Sequence, residues 1–111
     1  MAKPLQHQIL SRALELISDQ RSWTQGAMAR TASGNPCVVT HNGAVRFCAI
    51  GAVHRAVIEL TGALDQRLAN AAVRRVSSYL ALPYINDMGG RRRVVELFKK
   101  ALDQFNSGPS S

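Results

Sequence analysis

Residues 46–60, with the sequence RFCAIGAVHRAVIEL, form the longest nearly unbroken apolar run in the chain. At about 100° per residue, only His54, Arg55 and Glu59 gather on one side of a helix, and apolar side chains take the remaining surface. A helix that is apolar over most of its circumference has to be buried on most sides. We therefore expect a buried central helix over residues 48–60.

Two glycines define how this helix is expected to pack and end. Gly51 lies inside the run, where glycine is about 1 kcal/mol less favourable than alanine. We interpret it as a point where another backbone segment lies against the helix. Gly62 follows the run and is a natural left-handed cap for its carboxyl end.

Three further segments have apolar side chains at helical spacing: residues 4–19, 65–80 and 94–105. Pro4 suits a first helical position, where no backbone N–H is required. Asp65 is expected to cap the second segment or to lie in its first turn. The side chains expected to face inward are Leu5, Ile9, Leu10, Ala13, Leu14 and Ile17, then Leu64, Leu68, Ala72, Val76, Tyr79 and Leu80, then Val94, Leu97, Phe98, Ala101, Leu102 and Phe105.

The segment before the last helix is expected to be irregular. Leu82 and Pro83 are predicted to stop the third helix, and residues 84–90, YINDMGG, to form a connection. Asn86 and Asp87 could cap the last helix from this connection. Alternatively, Asp87 pairs with an interior arginine such as Arg46 or lines a polar pocket.

The segment before the central helix has two open interpretations. Asn42-Gly43 stands between two apolar runs, which is a strong hairpin signal. In such a hairpin Cys37 would lie directly across from Cys48, close enough to form a disulfide on oxidation. Alternatively, Asn42 caps the central helix, which then begins at once.

These elements predict a mainly α fold: a compact four-helix single domain around a buried central helix, with or without one small β-hairpin. A chain of 111 residues fits one domain. We assign residues 1–105 to the domain and residues 106–111 to a disordered tail.

Composition limits the classes of protein that need to be considered. No apolar run approaches the roughly 20 residues that a membrane span needs, so no membrane interaction is expected. The start of the chain has no secretory apolar region, which predicts a cytoplasmic protein. In a reducing compartment, the 2 cysteines are expected to be free thiols.

A formal net charge of +7 favours an anionic partner, either a nucleic acid or an acidic protein. Most of the basic residues lie in the second half of the chain, but no helix-turn-helix pattern accompanies them. Lys99 and Lys100 add to this half. The candidate basic binding surface consists of Arg67, Arg74, Arg75, Arg91, Arg92 and Arg93.

A second candidate site is a recess near the only tryptophan. Trp23 either fills one end of the core or forms the wall of this recess. The residues that could form the recess are Trp23, Gln25, Gly26, Cys48, Asn86 and Asp87.

Catalytic and metal chemistry have little support in the sequence. Cys48 would need a histidine base, and His54 lies about 120° away around the same helix, although His41 could approach from a loop. Cys37, His41, Cys48 and His54 lack the spacing of a zinc site. We therefore assign no catalytic residue, no metal and no cofactor.

Three elements together resemble a known family. These are WTQGA at residues 23–27, AVRFCAIGA at residues 44–52, and IND at residues 85–87 ahead of a closing amphipathic helix. The chain is similar over residues 5–105 to a family of small bacterial and phage-borne proteins with no assigned activity. The resemblance implies a compact, mainly helical domain and transfers no function.

The leading functional hypothesis is a small non-catalytic binding or regulatory module that uses its basic surface for an anionic partner. One alternative is a small enzyme that uses Cys48 or the recess beside Trp23 and Asp87. Another is a structural protein–protein adaptor, in which the chain could be a homodimer.

Overall fold

The long apolar run divides between a strand and a helix. The computed structural model describes residues 3–78 and 80–107. In it the central helix begins at Ala49, within one residue of the expected start at residue 48, and the alternative start at Asn42 is wrong. Cys48 is its N-cap residue. Gly62 ends the helix in the left-handed conformation, with φ of 90°, as the sequence predicts.

The described residues are mainly helical and include a small antiparallel sheet. In chain order the elements are α1 (Leu5–Leu16), a 3-10 turn (Gln20–Ser22), β1 (Ala29–Thr31), β2 (Pro36–Cys37), β3 (Ala44–Phe47), α2 (Ala49–Thr61), α3 (Gln66–Val76) and α4 (Ala81–Ser107).

Helix α2 contacts each of the other three helices. Its buried residues are Ala49, Ile50, Gly51, Ala52, Val53, His54, Ala56 and Val57. Gly51 packs against the backbone of Met28, as the sequence predicts. A Cβ atom added at Gly51 would overlap the carbonyl oxygen of Met28 and lie 2.8 Å from its carbonyl carbon. The same carbonyl oxygen accepts a hydrogen bond from the N–H of Cys48 at 3.2 Å.

The sheet differs from both interpretations of residues 37–48. Its strand order is β2-β1-β3, so β1 lies between the two strands that were expected to pair. Asn42 and Gly43 do form a turn, closed by a 3.1 Å hydrogen bond from the N–H of Ala44 to the carbonyl of His41. This turn leads into β3 but does not join two paired strands.

The pairing of Cys37 with Cys48 that the hairpin interpretation implied is therefore wrong. Cys37 lies opposite Ala29 on one side of β1, whereas Phe47 lies opposite the same residue on the other side. Both cysteines are free thiols.

Helix α3 begins where the sequence predicts and ends earlier. The Asp65 side chain accepts from the N–H groups of Arg67 and Leu68, at 3.0 and 3.2 Å. The helix ends at Val76, and neither Leu64 nor Leu80 faces inward, because both are exposed. The expected inward position of Tyr79 falls outside the described residues.

Residues 84–90 are helical, which corrects the expected irregular connection. Pro83 lies in the first turn of α4, where a proline causes no loss of helical hydrogen bonding. Gly90 interrupts the helix with φ of 80° and ψ of 172°, so α4 consists of a first part, residues 81–89, and a second part that begins at Arg91. Val94, Phe98 and Ala101 of the second part are buried, as predicted.

The carboxyl end of α4 overlaps the first residues of the expected tail, 106–111. The helix continues to Ser107, and the remainder of the expected tail, residues 108–111, falls outside the described residues. None of the helices in residues 3–78 and 80–107 has the length and apolarity that a membrane crossing requires.

Candidate functional site

Asn86 lies where three segments that are far apart in the sequence meet. Its Oδ1 accepts hydrogen bonds from Trp23 Nε1 at 2.8 Å and from the N–H of Ala49 at 2.9 Å. Its Nδ2 donates to the carbonyl of Thr24 at 3.0 Å. The residue is 1% exposed, and a buried amide is stable only when its polar atoms are paired. Asn86 thus ties α4 to the Trp23 segment and to the start of α2.

The start of α2 needs such acceptors because the first N–H groups of a helix have no partner within it. The Cys48 sulfur accepts from the N–H of Gly51 at 3.3 Å. Asn86 supplies the acceptor for Ala49. The expectation that Asn86 caps the last helix is wrong, since the amide lies inside α4 and serves the N-terminus of α2.

Gln25 ties the same loop to the kink in α4. Its Nε2 donates to the carbonyls of Asn86 and Asp87, at 3.0 and 2.8 Å. A break at Gly90 deprives the carbonyls of the preceding turn of regular helical partners. The Gln25 amide compensates for that loss.

Trp23 packs against the core, in agreement with the first of its two interpretations. It forms a parallel bridge with Phe47, next to a 3.1 Å hydrogen bond from the N–H of Thr24 to the Phe47 carbonyl. Arg30 then holds the loop that follows. Its guanidinium donates to Thr24 Oγ1 at 2.9 Å and to the carbonyls of Gln25 and Gly34 at 3.1 and 2.9 Å.

Four of the predicted recess residues line a small cavity of about 290 Å³ beside this network. The wall consists of Gly26, Ala27, Met28, Cys48, Ile50, Pro83, Asn86 and Asp87. Trp23 and Gln25 support the wall from behind and do not line it. Asp87 is exposed and lines this cavity, which corresponds to the alternative in which it lines a pocket.

The thiol in this cavity is poorly suited to nucleophilic attack. Burial, with a further contribution from the charge of Asp87, raises the pKa of Cys48 despite hydrogen bonds from the backbone of Gly51 and Ile50. A reactive cysteine needs the opposite shift, because the thiolate is the nucleophile.

We expect iodoacetamide to alkylate Cys37 several-fold faster than Cys48 in the native protein. Cys37 lines an open cavity of about 650 Å³, whereas burial reduces the thiolate fraction of Cys48. A time course of peptide mass spectra measures both rates, and the same reaction in urea should bring them close together. Faster labelling of Cys48 in the native state would contradict this assignment of the two thiols.

The six predicted basic-surface residues lie on two helices, three on α3 and three on α4. Arg67 and Arg74 are exposed on α3. Arg75 bonds Gln6 and stacks on Phe105, with its guanidinium carbon 4.5 Å from the ring centroid. The other three arginines lie on α4, directly after the kink at Gly90. Arg91 donates a hydrogen bond to the Ser18 carbonyl at 2.8 Å, and Arg92 is exposed. Arg93 forms an ion pair with Glu96 at 3.9 Å.

Arg91 and Arg92 line a groove between α1 and the second part of α4. The α1/α4 groove has a volume of about 570 Å³ and is lined by Ser11, Leu14, Glu15, Ser18, Arg91, Arg92, Val95, Glu96, Lys99 and Leu102. Leu14, Val95 and Leu102 are half-buried and give it an apolar floor. The sequence analysis did not predict this groove. The only signal for it is that the apolar residues of its floor lie at the edges of the inward faces of α1 and α4.

Within residues 3–78 and 80–107, no group of three or more His, Cys, Asp or Glu side chains is arranged to hold a metal ion. His54 is buried on α2, and burial lowers its pKa. The four residues weighed for a zinc site are therefore not gathered into such a group.

Comparison with known proteins identifies the family. Residues 1–106 match the sequence profile of DUF6197, described as a family of unknown function. The chain belongs to this family. No curated protein and no solved structure matches it. The DUF6197 match covers α1 to α4, so it includes both the Asn86 network and the α1/α4 groove.

Proposed function

We propose that this DUF6197 member is a small non-catalytic binding module whose α1/α4 groove accepts an acidic amphipathic helix of another protein. The observation that carries this proposal is the combination of an apolar floor and a basic rim in one groove. In this proposal α2 is the buried element around which the other helices are arranged. The Asn86 network keeps the fold rigid and takes no part in binding.

The groove suits a helix because its floor is a narrow apolar row. Leu14 on α1 and Val95 and Leu102 on α4 line it. Amphipathic helices bind such grooves through apolar side chains at positions i, i+3, i+4 and i+7. A volume of about 570 Å³ is within the range of sites that bury several side chains of a ligand.

The charges on the rim favour an acidic ligand. Arg91, Arg92 and Lys99 line the groove together with two carboxylates. Each carboxylate faces an arginine of its own helix: Glu15 lies 3.3 Å from Arg12, which also pairs with Glu59 at 2.6 Å, and Glu96 lies 3.9 Å from Arg93. The lining itself has three basic and two acidic side chains, so its net charge is positive and favours an acidic ligand.

The same features weigh against the other candidate functions. Nucleic-acid binding depends on phosphate contacts from basic side chains, whereas the basic side chains of this groove lie beside an apolar floor and two carboxylates. Catalysis by Cys48 is disfavoured by burial, which raises the pKa of the thiol. We further propose a cytoplasmic location and a bacterial or phage-borne origin. The free thiols Cys37 and Cys48 support that location.

We expect R92E/K99E to weaken the binding of an acidic amphipathic helix by about tenfold or more, because the double change reverses the charge of the rim. The probe is a labelled synthetic peptide with leucines at helical spacing and glutamates elsewhere, and fluorescence anisotropy measures its binding. The two substituted glutamates would face the glutamates of the peptide, and like charges placed opposite each other in an interface cost several kcal/mol when they are desolvated and less at an exposed rim.

The matched control is R67E/R74E, which changes the net charge equally on exposed positions of α3. Its affinity for the acidic peptide should lie within about threefold of the wild-type affinity. Both double variants lose the same amount of long-range electrostatic attraction to the peptide, so that effect cancels in the comparison. A peptide with lysines in place of the glutamates should not bind. Equal losses in the two double variants, or tighter binding to a DNA duplex than to the acidic peptide, would contradict the proposal.

A further inference from the structure

The first part of α4 presents an apolar row to solvent. Leu80, Tyr84 and Met88 are 90%, 67% and 70% exposed. Tyr84 and Met88 are four residues apart and share one face of α4, and Leu80 directly precedes the helix, four residues before Tyr84. The three positions form a stripe about 12 Å long. Monomeric proteins seldom expose a contiguous patch of several large apolar side chains without a function for it.

The stripe lies in a stretch of the chain that has no lysine or arginine. Residues 76–90 contain no lysine or arginine and one acidic residue, Asp87, within a chain of net charge +7. Two copies of a strongly basic protein repel each other over most of their surfaces. They can approach most easily where this stretch is exposed.

The stripe is also complementary to itself. In an antiparallel helix pair with a two-fold axis at Tyr84, Leu80 of one copy lies against Met88 of the other, and the two Tyr84 rings meet at the centre. A two-fold interface requires this relation, in which residue i contacts j and j contacts i. Leucine and methionine have similar volumes, so the two halves of the row are interchangeable.

We propose that the chain forms a homodimer through the Leu80–Tyr84–Met88 stripe, with the first parts of the two α4 helices packed antiparallel. This goes beyond the α1/α4 groove and does not depend on it, because the stripe and the groove share no residue. Three side chains per copy make a contact smaller than the roughly 800 Å² per partner of a standard interface. The dissociation constant is therefore expected in the micromolar range.

Sedimentation velocity of the full chain, from low micromolar to several hundred micromolar, tests the dimer. Tyr84→Glu should raise the dissociation constant about thirtyfold or more, because it removes a central aromatic anchor and places two like charges at the axis. The same change lowers the net positive charge, which by itself would favour association. The matched control is Leu64→Glu, an exposed leucine outside the stripe, which should dimerise like wild type.

A charge swap tests the antiparallel register. Each single variant, Leu80→Lys or Met88→Glu, should dimerise more weakly than wild type. The double variant L80K/M88E should recover at least part of this loss, because residue 80 of one copy then faces the opposite charge at residue 88 of the other. Circular dichroism checks that the variants fold. The proposal is overturned if the wild-type protein is monomeric at several hundred micromolar. It is also overturned if the Tyr84→Glu variant dimerises like wild type, or if L80K/M88E dimerises no more tightly than the two single variants.

Discussion

Gly51→Ala is expected to destabilise the protein by about 3 kcal/mol, although alanine is intrinsically the better helix former by about 1 kcal/mol. The added Cβ would overlap the carbonyl oxygen of Met28, which is held in place by its hydrogen bond from the N–H of Cys48. Neither backbone segment can move aside alone, because Gly51 is buried within α2. Thermal denaturation followed by circular dichroism should show a midpoint lowered by more than about 10 °C.

The control for Gly51→Ala is the same substitution at Gly43. A Cβ atom there would meet the ring of the exposed His41, at 3.0 and 3.1 Å, and would meet no backbone atom. That ring accepts a 2.8 Å hydrogen bond from the N–H of Gly43 and needs to shift by only a few tenths of an ångström. Gly43→Ala should change the free energy of unfolding by no more than about 0.5 kcal/mol, as is usual for surface substitutions. If Gly51→Ala melts within a degree or two of wild type, the close contact between α2 and the Met28 segment is not present.

Asn86→Ala is expected to have the largest effect of any polar substitution in the chain, about 3–5 kcal/mol. It leaves Trp23 Nε1, the N–H of Ala49 and the carbonyl of Thr24 without their side-chain partner. Each unpaired buried group costs about 1–3 kcal/mol. The only tryptophan is part of the network, so urea denaturation can be followed by its fluorescence.

Asp87→Ala is the matched control for Asn86→Ala, because Asp87 is adjacent and exposed. Its backbone carbonyl, which binds Gln25, is retained in the variant. It should unfold within about 0.5 kcal/mol of wild type. Equal stability of the two variants would show that the three hydrogen bonds of Asn86 contribute nothing to folding.

The parts of the fold that depend on residues close together in the sequence could be predicted. Asp65 as the cap of α3, Gly62 as the end of α2 and Gly51 as a packing point each follow from a local pattern. The start of α2 was predicted to within one residue, whereas the role of Asn42-Gly43 was left open between a hairpin turn and a helix cap. What decides between them is β1, which inserts between β2 and β3 and has no strong signal in three residues.

The first part of α4 was missed for a different reason. Pro83 and Gly90 are typical helix breakers, yet proline is tolerated in a first turn and Gly90 breaks the helix only after residue 89. The role of Asn86 was also hidden, because its partners Trp23 and Ala49 are 63 and 37 residues away in the sequence. No local pattern reports contacts at that separation.

The groove was predictable only in part. The basic residues Arg91 and Arg92 were recognised as candidates, but the sequence could not show that α1 supplies the other wall through Leu14 and Glu15. That pairing is a tertiary contact between two helices separated by most of the chain.

The most direct test of our account separates the α1/α4 groove from the recess at Cys48. Two-dimensional ¹H–¹⁵N NMR spectra recorded during titration with the acidic amphipathic peptide report on both at once. We predict that the backbone signals of groove residues such as Ser11, Val95 and Lys99 shift, while those of Gly26 and Cys48 and the indole signal of Trp23 stay unchanged. Shifts centred on Gly26, Cys48 and Trp23, with an unaffected groove, would contradict the proposed binding site.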